Sequence, residues 1–186
     1  MAAEMKTLGL GFTWEQLSAG QRFRTLNRTI TEADNVLFTS ITMNPAWIHL
    51  DFDYAQRETS YGKPLVNSIY TLGLILGLSV HDTTLGATLG NLGFSEITFP
   101  KPVFIGDTIH VRKTVVDALS KSPDMGVVTF ETTVLNQDGE TVLGPEVPTT
   151  LVQVLERRLG IAALDGIDQT AVDEVDEHPF LQAVAH

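Results

Sequence analysis

The sequence predicts an α+β domain in which one long apolar helix packs against an antiparallel sheet. Three observations carry this. The run Ile69-Tyr70-Thr71-Leu72-Gly73-Leu74-Ile75-Leu76-Gly77-Leu78-Ser79-Val80 is apolar nearly all round and long for a strand, so it reads as a helix buried on most sides. After Gly86 the pattern changes to segments rich in β-branched residues, separated by turn signals. With 186 residues and 43% hydrophobic content the chain can bury one sizeable core, and its length favours a single domain.

Residues 8–20 form a leading loop anchored by Trp14 and Leu17 and closed by Gly20. Arg22 to Ile30 alternates loosely and suits a strand. Thr31, with Asp34 three residues later, resembles a capping box with a shorter acid, which starts a helix running to about Ser40. Pro45 suits the loop that follows, and Asp51 can cap the next short helix. Asn67-Ser68 opens the long helix, whose Gly73 and Gly77 permit close approach by a sheet. Strands then fall at Leu89–Phe99, Thr108–Val116, Val127–Leu135 and Thr141–Leu155. The turn signals between them are Pro100-Lys101-Pro102, Gly106-Asp107, Ser122-Pro123-Asp124 and Asp138-Gly139. The domain takes in residues 1–158. The tail, 159–186, is weakly periodic, and its apolar residues suit docking on a surface or on a partner subunit about as well as disorder.

The net charge is −11. Six of the 23 acidic residues lie after Arg158, where there is no Lys or Arg, which leaves 17 acids against 12 bases in the rest. Nucleic acid is a poor partner for such a surface, although local Lys and Arg leave room for an anionic ligand. The absence of cysteine excludes disulfides and thiolate metal sites. The first residues lack a basic region followed by an apolar run, so no secretory signal is expected. The long apolar run is interrupted by Gly73, Gly77 and Ser79 and is too short to span a bilayer comfortably. These readings point to a soluble, cytoplasmic protein with no membrane partner.

Asn44 and His49 stand five residues apart in Ile41-Thr42-Met43-Asn44-Pro45-Ala46-Trp47-Ile48-His49-Leu50-Asp51, between two amphipathic segments. A polar pair held there can present both side chains to one cavity, and His is the side chain best suited to moving a proton near neutral pH. Taken alone, Asn44 reads more simply as a turn residue and His49 as a core histidine. Asp51 is more readily a helix cap than a catalyst.

The block resembles the MaoC-like, (R)-specific enoyl-CoA hydratase family, whose signature is an Asp, four intervening residues and a His; here the Asp position is Asn44. Arg28-Thr29-Ile30-Thr31-Glu32-Ala33-Asp34 looks like the family's approach to its first helix. Tyr61-Gly62-Lys63-Pro64-Leu65-Val66-Asn67-Ser68 looks like the glycine-containing turn whose backbone N–H polarises the thioester. Phe99-Pro100-Lys101-Pro102-Val103-Phe104-Ile105-Gly106-Asp107-Thr108 looks like its strand-turn-strand hallmark. The resemblance covers about Gly20 to Leu155. It implies a single hotdog domain, a sheet wrapped around a central helix, and at least a homodimer with an acyl-CoA tunnel between protomers. The strands ending near Leu135 and Leu155 are expected to offer the edges at which sheets pair. Shorter stretches resemble one branch, the hydratases of branched C4 or C5 dicarboxylic acyl-CoAs such as mesaconyl-CoA and itaconyl-CoA. These are Ile41-Thr42-Met43-Asn44, Leu65-Val66-Asn67-Ser68, Asn91-Leu92-Gly93 and Ser120-Lys121-Ser122-Pro123.

The activity implied is reversible addition of water across an enoyl thioester. It needs a base, an acid and donors for the enolate oxygen. The resemblance makes His49 the principal acid/base and the Ser68 backbone amide the oxyanion donor, helped by the helix N-terminus. Asn44 cannot accept a proton at neutral pH, so it orients water or substrate, unless a nearby carboxylate substitutes for the family's Asp. An amide there also avoids repelling a second carboxylate on the substrate, a cost of about 4 kcal/mol at about 4 Å and an effective dielectric near 20. Asn67, Arg28, Arg57, Lys121 and Ser122 are candidate contacts to substrate or coenzyme A. Each also has a simpler reading, as a helix cap for Asn67 and as solvated surface for the others. No metal is expected, and coenzyme A arrives as part of the substrate. His81, His110, His178 and His186 have no partner spacing and receive no role. Two alternatives remain. A hotdog thioesterase typically carries an Asp or Glu within the central helix, where Asn67 to Ser79 has none. A non-catalytic acyl-CoA-binding protein is compatible with Asn44.

Overall fold

The computed structural model describes residues 9–144 and 149–156; the boundary expected after Arg158 and the acidic tail lie outside them. A 3₁₀ turn, Trp14–Gln16, sits in the leading loop, with Leu17 buried and Trp14 packed on the same cluster. Gly20 closes the loop in the left-handed region (φ 89°), its N–H donating to the Val115 carbonyl at 2.8 Å.

The strand expected over Arg22–Ile30 is two short ones, β1 (Arg22–Arg24) and β2 (Arg28–Thr29). The break has a local cause. Thr25 uses its backbone N–H and its hydroxyl oxygen to bond the carbonyl and N–H of Val111 (3.0 and 2.9 Å). The side chain thus takes a place in the ladder that the backbone would hold, and Leu26 is turned out into solvent.

Helix α1 (Glu32–Ile41) starts at the capping box expected: Asp34 N–H donates to Thr31 Oγ1 (3.2 Å) and Thr31 N–H donates to Asp34 Oδ2 (2.8 Å). Met43, at φ 52°, turns the chain after it. One turn of helix, α2 (Trp47–Leu50), lies inside what the sequence suggests is loop. Asp51 then caps α3 (Phe52–Glu58) by accepting from Tyr54 N–H at 2.9 Å.

The long helix, α4, runs from Ser68 to Thr83 and is capped by Asn67, whose Oδ1 accepts from Ile69 N–H (3.0 Å). Its packing differs from the expectation. Thr71, Ile75, Ser79 and Thr83 form the buried stripe, whereas Ile69, Gly73 and Gly77 are exposed on another side. A Cβ added at either glycine would meet nothing within 4 Å. Small hydroxyl residues, rather than the glycines, admit the sheet, and their hydroxyls are satisfied within the helix, as in Ser79 Oγ to the Ile75 carbonyl (3.0 Å).

The strands β3 (Thr88–Ser95), β4 (Thr108–Ser122), β5 (Met125–Leu135), β6 (Thr141–Leu143) and β7 (Thr149–Glu156) complete one antiparallel sheet. Its order is β1-β4-β5-β7-β3, with β2 also on β4 and β6 also on β5. Alternate residues of β4, β5 and β7 (Ile109, Val111, Val115; Phe130, Val134; Leu151, Leu155) face α4 and form the core. This is the α+β hotdog arrangement that the resemblance implies. Two details differ. The strand expected over Thr141–Leu155 is interrupted at Gly144, which is left-handed (φ 81°), bonds the Thr98 carbonyl, and lies so close to the Thr132 carbonyl oxygen that a Cβ would stand 2.7 Å from it. The strands ending at Leu135 and near Leu155 are interior; the edges belong to β1 and β3. Sequence order does not reveal sheet order, because β3 pairs with the last strand rather than with its neighbour.

Candidate active site

His49 is positioned by two short segments clamped together. Leu65 N–H donates to the Ile48 carbonyl (3.0 Å), and Val66 N–H to the Val103 carbonyl (2.9 Å), which ties the stretch before α4 to both α2 and the approach to β4. The His49 ring Nδ1 lies 2.9 Å from the Leu65 carbonyl oxygen. A carbonyl can only accept, so Nδ1 carries a hydrogen, and in the neutral ring the lone pair therefore lies on Nε2. The half-buried ring is thereby set as a base at Nε2.

Sequence reasoning missed the residue that organises this region. Asn35 on α1 is fully buried and makes three hydrogen bonds. Its Nδ2 donates to the carbonyls of His49 (3.1 Å) and Leu65 (3.3 Å), and its Oδ1 accepts from Asn67 N–H (2.9 Å). One side chain thus fixes the histidine turn, its carbonyl anchor and the cap of α4. No local signal marked it: Asn35 is buried while Val36, Leu37 and Ile41 of the same helix are exposed, an inversion of the usual pattern that only the packed structure shows.

Ser68 is the first residue of α4. Because Asn67 N–H is taken by Asn35 and Ile69 N–H by the Asn67 side chain, Ser68 N–H is left without a hydrogen bond among the described residues. The residue itself borders a cavity of about 270 Å³ lined by Tyr61, Leu65, Ser68, Thr71, Phe99 and Lys101, among others. Leu65 therefore joins the two groups: its carbonyl holds His49, and it borders the same cavity as Ser68.

Asn44, half-buried, has its Oδ1 accepting from Ala46 N–H at 3.0 Å across Pro45. The turn role is thus present, and the amide NH₂ remains to donate elsewhere. The charged candidates are engaged or distant. Arg28 makes a two-pronged ion pair with Asp34 (2.9 and 3.0 Å). Burial pushes the Asp34 carboxyl up, but the Thr31 hydrogen bonds and the Arg28 charge outweigh it and hold the group below the ordinary carboxylate range. Arg57 pairs with Asp53 one turn earlier (2.8 Å), both side chains largely exposed. Lys121 and Ser122 lie at the β4–β5 hairpin, whereas the His49 anchor lies beside the residues that precede β4; about 40 Å of strand separates the two ends. One chain does not bring these two residues to His49.

The family model described as MaoC like domain matches residues 15–137. The chain belongs to the MaoC-like domain family. It is 31% identical over 124 residues to the (R)-specific enoyl-CoA hydratase of Rhodospirillum rubrum, which covers 64% of this chain and 78% of that protein. It is 40% identical over 79 residues to the mesaconyl-CoA hydratase of Cereibacter sphaeroides, covering 42% of this chain and 23% of that protein. The chain spans less than a third of the length of that hydratase and of the protein MaoC of Klebsiella aerogenes (23% and 30%). The solved monoamine oxidase regulatory protein of Archaeoglobus fulgius superposes with a TM-score of 0.70 at 27% identity, over 82% of this chain and all of that one. In this MaoC-like chain the stretch matched by the family model contains Asn35, Asn44, His49 and Ser68 together.

Proposed function

We propose that this MaoC-like chain adds water reversibly across the double bond of an α,β-unsaturated acyl-CoA. The observation that carries the reading is the His49 tautomer, fixed through the Leu65 carbonyl three residues ahead of an unpaired N–H at a helix N-terminus. His49 Nε2 takes a proton from water as the oxygen bonds to the β-carbon. The enolate oxygen receives the Ser68 N–H and the positive end of α4, and the imidazolium returns a proton to the α-carbon. The Asn44 NH₂ orients the water or a second substrate carboxylate. The preferred substrate is a branched dicarboxylic acyl-CoA of the mesaconyl or itaconyl type; the short motifs and the mesaconyl-CoA hydratase relatives support it. Coenzyme A enters with the substrate, and no metal takes part in these proton transfers. The site is cytoplasmic in this reading; no helix among the described residues is long and apolar enough to cross a membrane.

The chain acts as at least a homodimer. Leu37, Ile41, Met43, Trp47 and Ile69 are each more than half exposed, and β3 leaves one strand edge open, so a second copy would cover apolar surface and a ladder edge at once.

His49→Ala is expected to lower turnover by about a hundredfold or more, read as loss of enoyl absorbance. Near-normal activity would remove His49 from the mechanism. Crotonyl-, mesaconyl- and itaconyl-CoA assayed for hydration and for thiol release separate the alternatives: thiol release without hydration indicates a thioesterase, and neither signal a binding protein.

A further inference from the structure

Lys113 occupies a core position. On β4 it falls in register with Ile109, Val111 and Val115, the residues that face α4, and it is only 3% exposed. Its Nζ lies 4.0 Å from the centre of the Phe130 ring and 3.4 Å from Ser79 Oγ. Among the described residues no carboxylate pairs with it: their ion pairs are Arg28–Asp34, Arg57–Asp53 and Lys101–Glu140. Burial alone holds its ammonium down to about 8. A buried cation with only a hydroxyl and a ring face is an open electrostatic demand.

The space around it suits an answer to that demand. A groove of about 890 Å³ between β1 and the C-terminal half of α4 is lined by Lys113 and Ser79, with Phe23 and Leu78 as apolar wall. Arg22 and Arg24 border it against a single carboxylate, Asp82. Beneath Lys113 and Ser79 a void of about 10 Å³ touches Thr132, the residue across the ladder from Lys113, whose hydroxyl is buried without a partner. We propose that the groove is a binding site for a small organic carboxylate with an apolar body, its charged end seated on Lys113 and its body along Phe23 and Leu78. The Thr132 hydroxyl borders the void beneath Lys113 rather than the groove and is a further unpartnered donor one ladder position away. Ser79 stands eleven residues along α4 from Ser68, about 16 Å, so this is not the place of a carboxylate beside the reacting carbons. The anion has two sources, a free acid or the far end of a long acyl chain.

Butanoate, octanoate and benzoate, each beside its uncharged alcohol, are titrated calorimetrically into the full chain at pH 7. At least one acid is expected to bind saturably and its alcohol far more weakly. Lys113→Met, with its fold verified by circular dichroism, should weaken the acid by about tenfold or more, while Lys113→Arg retains part of the affinity. Equal binding to wild type and Lys113→Met, equal binding of acid and alcohol, or no saturable binding of any of the three acids by the wild type would overturn the proposal. The source is read from long enoyl-CoA substrates ending in methyl or carboxylate. A preference for the carboxylate end that Lys113→Met abolishes assigns the site to the acyl chain. Acid binding that leaves the KM of both thioesters unchanged assigns it to a free acid.

Discussion

Replacing Lys113 by Met should make the ligand-free protein more stable. In the unfolded chain the ammonium titrates near 10.5, whereas burial in the fold holds it at about 8. A gap of about 2.5 units is worth about 3 kcal/mol against the charged form at neutral pH. Met fills a similar volume without a charge, so the Ile109-Val111-Val115 face of β4 becomes continuous. The expected gain is about 3 kcal/mol at pH 7, or roughly 6–12 °C in Tm for a chain of this size. Urea denaturation at fixed pH measures it. The pH dependence gives a second check with a definite sign. Between about 8 and 10.5 the unfolded chain holds the Lys113 proton and the folded chain has released it, so the unfolded state binds more protons and wild-type stability rises with pH across that window relative to Lys113→Met. The advantage of the variant should therefore be full below about pH 8 and shrink towards pH 10.5. A variant less stable than wild type, or a difference that does not change with pH, would refute the reading of Lys113 as an uncompensated buried cation.

Other outcomes follow from the candidate active site. Asn35→Ala leaves Asn67 N–H and the His49 carbonyl without their partner, and should cost about 2–4 kcal/mol in urea denaturation as well as turnover, because the same bonds place His49. Loss of neither would mean that the turn holds without it. Asn44→Asp should reduce activity on mesaconyl- or itaconyl-CoA while sparing or raising that on crotonyl-CoA, since a fixed carboxylate repels only the dicarboxylic substrates; each tenfold change in the ratio of kcat/KM values corresponds to about 1.4 kcal/mol. An unchanged ratio would leave Asn44 as the brace of the Pro45 turn. Sedimentation is expected to give a dimer or larger species, and a clean monomer of 20.3 kDa at micromolar concentration would count against the paired assembly.

The local signals in the sequence were sufficient for most elements. Thr31 with Asp34, Asp51, and Asn67 each mark a helix start through contacts with N–H groups two or three residues away, so their meaning is complete within a short window. The period change after Gly86 marks strands for the same reason. His49 was legible through its spacing from Asn44 and the wording around it. What the sequence could not hold is anything that depends on which distant segments meet. Sheet order moved the edges from β5 and β7 to β1 and β3. The side of α4 that meets the sheet proved to be its hydroxyl stripe, because an apolar run bears no mark of which face is covered. The histidine's tautomer is set by a carbonyl sixteen residues away, and Asn35 acts across fourteen to thirty-two residues. Lys113 was visible only as a charge in an alternating strand, where a snorkelling surface residue and a buried one read alike. Packing against Ser79 and Phe130, which the tertiary structure alone brings together, makes it a buried cation facing a groove.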